Sequence, residues 1–324
     1  MGRIALPMDN RIKRIEQHKS LIKAFDDPCS GLIYHYTSAE GLRGIIENSE
    51  IWLTNVAFVN DRTECRALQE ERNLFIDSDF ANKYVRDKWH SFIRNPYNDK
   101  DTYIASFSRG KESLEQWRAY GNFRIGFVAN ELITRRFNLY QCVYRKEEIK
   151  KWILKKGKVK EWEGDSLDDQ YKRGATFQLI YAASRKFKNY HFSKEKEVRI
   201  TVVSHHTWEP YSNSPSMFAN DPPIYYRDHP TYKIPVPYVK LFITDTKEQE
   251  DRQHHTAKET SRQMKEKKRN QERNMTRYLL PIREVLIGPM IHQEEAKFAC
   301  KILLKDKGYE NVKVNVSGIP YRGS

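Results

Sequence analysis

Three features of this 324-residue chain predict an α+β fold. Apolar segments with strand character are interspersed with helical ones, but without the regular strand–helix–strand alternation that builds a parallel sheet. The segment EVRITVV at 197–203 alternates cleanly, with Val198, Ile200 and Val202 on one side and Glu197, Arg199 and Thr201 on the other. Two helical stretches open on residue pairs that read as capping boxes, Thr37 with Glu40 and Ser113 with Gln116.

Residues 10–26 carry Ile12, Ile15, Leu21, Ile22 and Phe25 among charges, the pattern of an amphipathic helix. GLIYHYT reads as a strand, and Leu42, Ile45 and Ile46 then recur at helical spacing. IWLTN is strand-like. VNDRTECRALQEERNLFID predicts a further helix with Asn60 or Asp61 as its cap. TYIASFS at 102–108 predicts a mostly buried strand, and LEQWRAY a helix of about two turns that stops at Gly121. FRIGFVAN and NLYQCVYR continue the sheet, 165–189 is helical, and IREVLIGP is a strand with a turn. A helix from Gln293 to Lys307 and a strand VKVNVS close the chain. The expected organisation is an N-terminal helix at 1–28 and a single α+β domain at 29–324, interrupted by a charged insertion at 245–276. That insertion has almost no apolar residue, so it cannot bury a face.

Hydrophobic residues make up 39% and aromatics 12%, a globular composition. Cys29, Cys65, Cys142 and Cys300 lie far apart, which argues against a disulfide framework or a zinc site and fits a reducing cytosol. No apolar run approaches membrane-spanning length and the first residues lack a signal-peptide core, so a cytoplasmic protein without a membrane partner is expected. The net charge of +14 favours nucleic acid, other polyanions or acidic partners. In 145–164, Trp152 and Trp162 sit among Lys150, Lys151, Lys155, Lys156, Lys158 and Lys160. Aromatics interleaved with lysines suit phosphate neutralisation with base stacking. The same residues also fit an amphipathic helix with Ile149, Trp152 and Ile153 facing a core.

The familiar nucleotide, protease and hydrolase signatures are missing. His254-His255 reads as a surface pair in the charged insertion. Four local patterns remain, each too polar for its apparent element. His35 stands between Tyr34 and Tyr36 and before Thr37 and Ser38. Asn60, Asp61 and Glu64 head a predicted helix. Ser106 and Ser108 share a strand face ahead of Gln116, Trp117, Arg118 and Tyr120, and Glu197 lies two residues from Arg199. Taken singly, each has a plain structural reading: a satisfied core histidine, a helix cap, core aromatics, an ion pair. A cleft at strand ends would account for all four together.

YHYTS, GLRGIIENSEIWLTN, FVNDRTE, ASFS, LEQWRAYG, KEKEVRI and EVLIGP resemble, as a set, the bacterial family known as domain of unknown function 2971, from about residue 30 to residue 322. The strand ending in His35, the helix with GLRGII and the following strand are also similar to the opening of ADP-ribosyltransferase-like domains. That second resemblance implies a split mixed or antiparallel sheet core with flanking helices and NAD as substrate. It implies transfer of ADP-ribose to a macromolecule, a nucleic acid or protein acceptor, or hydrolysis of NAD, in a toxin or phage-defence effector. His35 would hold the nicotinamide ribose, and Glu197 would assist bond cleavage. Tyr36, Trp117 or Tyr120 would supply a stacking ring, Arg118 would meet the pyrophosphate, and Thr37 and Ser108 would complete the cofactor contacts. Ser106-Phe107-Ser108 is a loose analogue of the superfamily's second-strand Ser-Thr-Ser. The alternative is a non-catalytic nucleic-acid-binding module that uses Lys151, Trp152, Lys155, Lys156 and Lys158.

Overall fold

The computed structural model describes residues 29–59, 61, 64–80, 83–94, 101–110, 112–132, 137–157, 169–204, 221–229, 231, 233–244, 266, 269–270, 272–275 and 277–320, with the side chains of 169–174 excepted. The predicted N-terminal helix at 1–28, Asn60, Lys158, Lys160, Trp162, the histidine pair and most of the insertion at 245–276 lie outside the described residues. In chain order the strands are β1 (Leu32–Thr37), β2 (Ile51–Asn55), β3 (Thr102–Ser108), β4 (Phe123–Val128), β5 (Asn138–Gln141), β6 (Glu197–Val203), β7 (Tyr225–Asp228), β8 (Pro235–Leu241), β9 (Ile282–Ile287) and β10 (Lys313–Val316). The principal helices are α1 (Ala39–Asn48), α2 (Lys83–Arg94), α3 (Leu114–Tyr120), α4 (Lys146–Lys156), α5 (Asp169–Lys186) and α6 (Gln293–Asp306). The chain is therefore α+β, with a mixed sheet.

Contacts divide the chain into two compact units, one with the described parts of Thr63–Asn98 and Asn138–Ser193, the other with those of Cys29–Arg62, Asp99–Phe137 and Lys194–Ser324. The first unit is mainly helical. Trp89 and Phe92 of α2, Ile149 and Ile153 of α4, and Leu179 and Ile180 of α5 share one core. The second unit holds the sheet, in the order β10-β9-β4-β1-β3-β2-β8-β7. Strands β9 and β10 run parallel, and the other pairs in that order are antiparallel.

The position of β3 decides where a site can form. Strand β6 pairs with β3 along its whole length, from Thr102 opposite Val203 to Ser108 opposite Glu197. Its other edge is shared: β1 meets it once, at Tyr34 opposite Ser108, and β2 meets it at Ile104 and Tyr103. Between these contacts the edge of β3 has no strand partner among the described residues, so the sheet parts there. Strand β1 instead keeps a six-residue ladder with β4.

Local expectations were met unevenly. Helix α1 is capped by Ser38, whose hydroxyl accepts from the Gly41 amide at 3.1 Å, and not by Thr37. The reason is steric: Thr37 is still in the ladder, opposite Phe123, so its successor takes the cap. Ser113 occupies the cap of α3 without a side-chain cap bond. The helix predicted from Asn60 or Asp61 does not form. Cys65 adopts φ +60, and 3-10 turns at Ala67–Glu70 and Asp77–Asp79 follow; the α-helix comes later, as α2, burying Val85, Trp89 and Phe92.

Gly121 ends α3 at φ +115, and a Cβ there would stand 2.6 Å from the Thr37 carbonyl oxygen. Both the dihedral and the approach to main chain demand glycine. Gly121→Ala is expected to cost at least about 1 kcal/mol, read as a lower urea midpoint at unchanged slope.

Candidate functional site

Alternation along β1 puts His35 on one face with Phe107, at 5.5 Å between ring centroids, and Tyr34 and Tyr36 on the other. The His35 Nδ1 lies 3.0 Å from the Ser106 carbonyl oxygen, in the gap where β1 has left β3. A side chain thus supplies the partner that the ladder does not. A carbonyl can only accept, so Nδ1 carries the proton, and Nε2 of the neutral ring keeps its lone pair. Among the described residues Nε2 has no hydrogen-bond partner, and the ring is half-buried. Desolvation lowers the His35 pKa below its ordinary 6.5, against a smaller upward pull from the Ser106 carbonyl.

The sign of the pH effect follows. The unfolded chain takes up a proton near 6.5 while the folded ring resists, so stability is full above that value and falls as pH drops below it. An His35→Gln variant is expected to flatten this acid-side slope in melting curves between pH 7 and 5.

Ser106, Ser108, Glu197 and Arg199 share the face of Tyr34 and Tyr36, by the pairings of Ser108 with Glu197 and Ser106 with Arg199. The Ser106 hydroxyl donates to Glu197 Oε1 at 2.6 Å. Arg199 Nε donates to the same oxygen at 3.1 Å and Nη2 reaches Oε2 at 3.5 Å. The expected polar face of β6 is therefore not solvated: Glu197 is 3% exposed and Arg199 is 0% exposed. Charge pairing is what allows both inside. Ser106 is the exposed residue of β3 above this pair. Ser106 touches both expected catalytic groups, His35 through its carbonyl and Glu197 through its hydroxyl, although the two side chains leave the sheet on opposite faces. Ser108 serves the loop instead, donating to the Glu195 carbonyl at 2.6 Å and accepting from the Gly110 amide at 2.9 Å.

Tyr36 packs edge-on against Trp117, at 4.7 Å between centroids, and both rings are buried. Gly288 lies against the indole, where a Cβ would meet Trp117 at 2.7 Å. Neither ring has an open face for stacking, whereas Tyr120 is 42% exposed. Arg118 is also exposed on α3, and Thr37 is a buried ladder residue. Arg124 of β4 was not singled out in the sequence. Its guanidinium lies 4.2 Å from the Tyr34 ring centroid and 3.4 Å from Glu284. Desolvation raises the Tyr36 pKa although Arg124 and the Ser113 main chain pull it down. Among the described residues no well-formed hydrogen bond is made by the Tyr36 hydroxyl, Trp117 Nε1 or Arg124 Nε.

On α4, Lys151 and Lys155 are exposed and Lys156 is half-buried. Trp152 packs against the core of its own unit beneath Lys186 Nζ, 5.4 Å from the ring centroid. The indole, partly buried, takes part in the packing of α4 with Ile149 and Ile153. Among the described residues no group of three or more His, Cys, Asp or Glu could hold a metal ion. No described helix is long and apolar enough to cross a membrane. No family model matches this chain, and no curated protein or solved structure matches it either.

Proposed function

We propose that the chain is an ADP-ribosyltransferase-like protein that takes NAD as substrate and transfers ADP-ribose to a macromolecule or to water. The observation that carries this reading is Ser106, held between His35 and Glu197 where the sheet parts. The resemblances of the sequence, to domain of unknown function 2971 and to ADP-ribosyltransferase-like domains, support it.

In this reading the neutral His35 accepts a hydrogen bond at Nε2 from a ribose hydroxyl. Cleavage of the ribose–nicotinamide bond leaves cationic character at the sugar carbon, and Glu197 stabilises it electrostatically. The carboxylate is buried, so a ribose hydroxyl reaches it by displacing or joining the Ser106 hydroxyl. Arg199 fixes the Glu197 carboxylate in place. Departing nicotinamide is replaced at the sugar carbon by an acceptor oxygen or nitrogen, whose proton passes to Glu197 or solvent.

The test is nicotinamide release from NAD by the full chain, with NAD binding followed by calorimetry. Ser106→Ala is expected to lower release roughly tenfold, the loss of one positioned hydrogen bond. A chain that neither binds NAD nor releases nicotinamide overturns the reading.

A further inference from the structure

The face that carries Glu197 continues across β2, β8 and β7, where the register places Trp52 opposite Lys240, Thr54 opposite Tyr238, and Tyr225 opposite Tyr238. Trp52 stacks on Tyr238 at 4.3 Å and 26°, and Tyr225 follows at 5.7 Å from Tyr238. Tyr238 is buried beneath its neighbours, but Trp52 remains 38% exposed. Its indole N–H is already spent, donating to Glu50 at 2.7 Å. Glu50 also receives Lys240 at 2.9 Å and Arg277 at 2.6 Å, so a single buried carboxylate sets the angle of the ring. What Trp52 offers outward is the part of the ring that Tyr238 leaves uncovered, with no directional demand.

Cations surround that face. Arg227 crosses from β7, with its guanidinium carbon 5.8 Å from the Trp52 ring centroid and Nη2 donating to Thr54 at 2.9 Å. Lys240 lies 4.7 Å from the Tyr225 centroid. Arg227 has no carboxylate partner among the described residues. Among the described residues Arg227, Lys240, Arg269 and Arg277 stand against Glu50, Asp228 and Glu272, an excess of positive charge on a chain that is already at +14.

We infer that this end of the sheet binds single-stranded nucleic acid, with a base stacked on Trp52 and phosphate held by Arg227. A stacked base needs a π face and no particular hydrogen-bond donor, and its backbone needs nearby cations. Both are present here, whereas on α4 the indole takes part in core packing. The inference is independent of the NAD reading.

The experiment uses the full chain and fluorescein-labelled oligo-dT of roughly twelve nucleotides, with anisotropy read across a salt series. Binding at low salt is expected to weaken steeply as salt rises. Trp52→Ala should lower affinity roughly five- to a hundred-fold, and Trp52→Phe should keep most of it. Arg227→Gln should weaken binding and reduce the slope of log affinity against log salt by about 0.7. Nicotinamide release should be unchanged in all three variants. Thermal melts identify any loss due to unfolding, and Arg227→Gln carries the test if Trp52→Ala is unstable. Absence of binding at low salt overturns the inference. So does wild-type affinity in both Trp52→Ala and Arg227→Gln together with loss in Lys151→Glu/Lys155→Glu, which would put the contact on α4. Equal displacement of the oligonucleotide by polyglutamate would reduce the surface to bare charge and also overturn it.

Discussion

Glu197→Gln is expected to lower nicotinamide release by at least about a hundredfold, because the amide keeps the shape of the carboxylate but not its charge. The substitution is not silent for the fold. Arg199 is fully buried, and its Nε and Nη2 hold the two carboxylate oxygens at 3.1 and 3.5 Å. Loss of turnover must therefore be measured on protein shown to be folded, at low temperature and with circular dichroism on the same sample. Ser106→Ala provides the control, since it leaves the ion pair intact and removes only the 2.6 Å hydrogen bond. If Glu197→Gln stays folded and releases nicotinamide at the wild-type rate, the catalytic carboxylate is elsewhere. Glu64 belongs to the other compact unit, where it pairs with Lys188 at 3.8 Å, so it has a structural task of its own.

Strands were the legible part of this fold. Alternation in 197–203 and the apolar runs of β1, β3 and β4 reflect the pleat directly, and each formed a strand. Between β2 and β3 the sequence misled. The stretch around Ala67, Leu68 and Phe75 has enough buried apolar residues for a helix, but Cys65 turns at φ +60 and the chain packs as turns. Helix α2 escaped notice because Val85, Trp89 and Phe92 are diluted by seven charged or strongly polar neighbours in KYVRDKWHSFIR. His35 and Glu197 stood out because each is polar beside apolar neighbours. Ser106 did not stand out above Ser108, since a pattern on one strand face cannot tell which hydroxyl meets a carboxylate. That depends on β6 lying on one edge of β3 and β1 leaving the other, which is long-range pairing. Arg124 and Glu50 were hidden for the same reason: their partners, Glu284 for one and Lys240 and Arg277 for the other, come from distant segments.

A double-mutant cycle on Glu197 and Arg199 is expected to show that the buried pair specifies a site more than it stabilises the sheet. Each single substitution, Glu197→Gln or Arg199→Met, removes one partner from the interior and should cost about 3–5 kcal/mol, seen as a large fall in the urea midpoint. Removing both leaves an amide and a thioether beside the Ser106 hydroxyl, with no ionised group at either position. The double variant should therefore recover most of the loss, giving a coupling of several kcal/mol in place of additivity. Strands β3 and β6 pair through seven register positions whatever these two side chains are, so the ladder itself survives. Nicotinamide release should not recover with stability, since the charge aimed at the sugar is gone. Simple additivity of the two costs would mean that the pair does not act as a unit. Recovery of turnover in the double variant would show that this charge has no part in the chemistry.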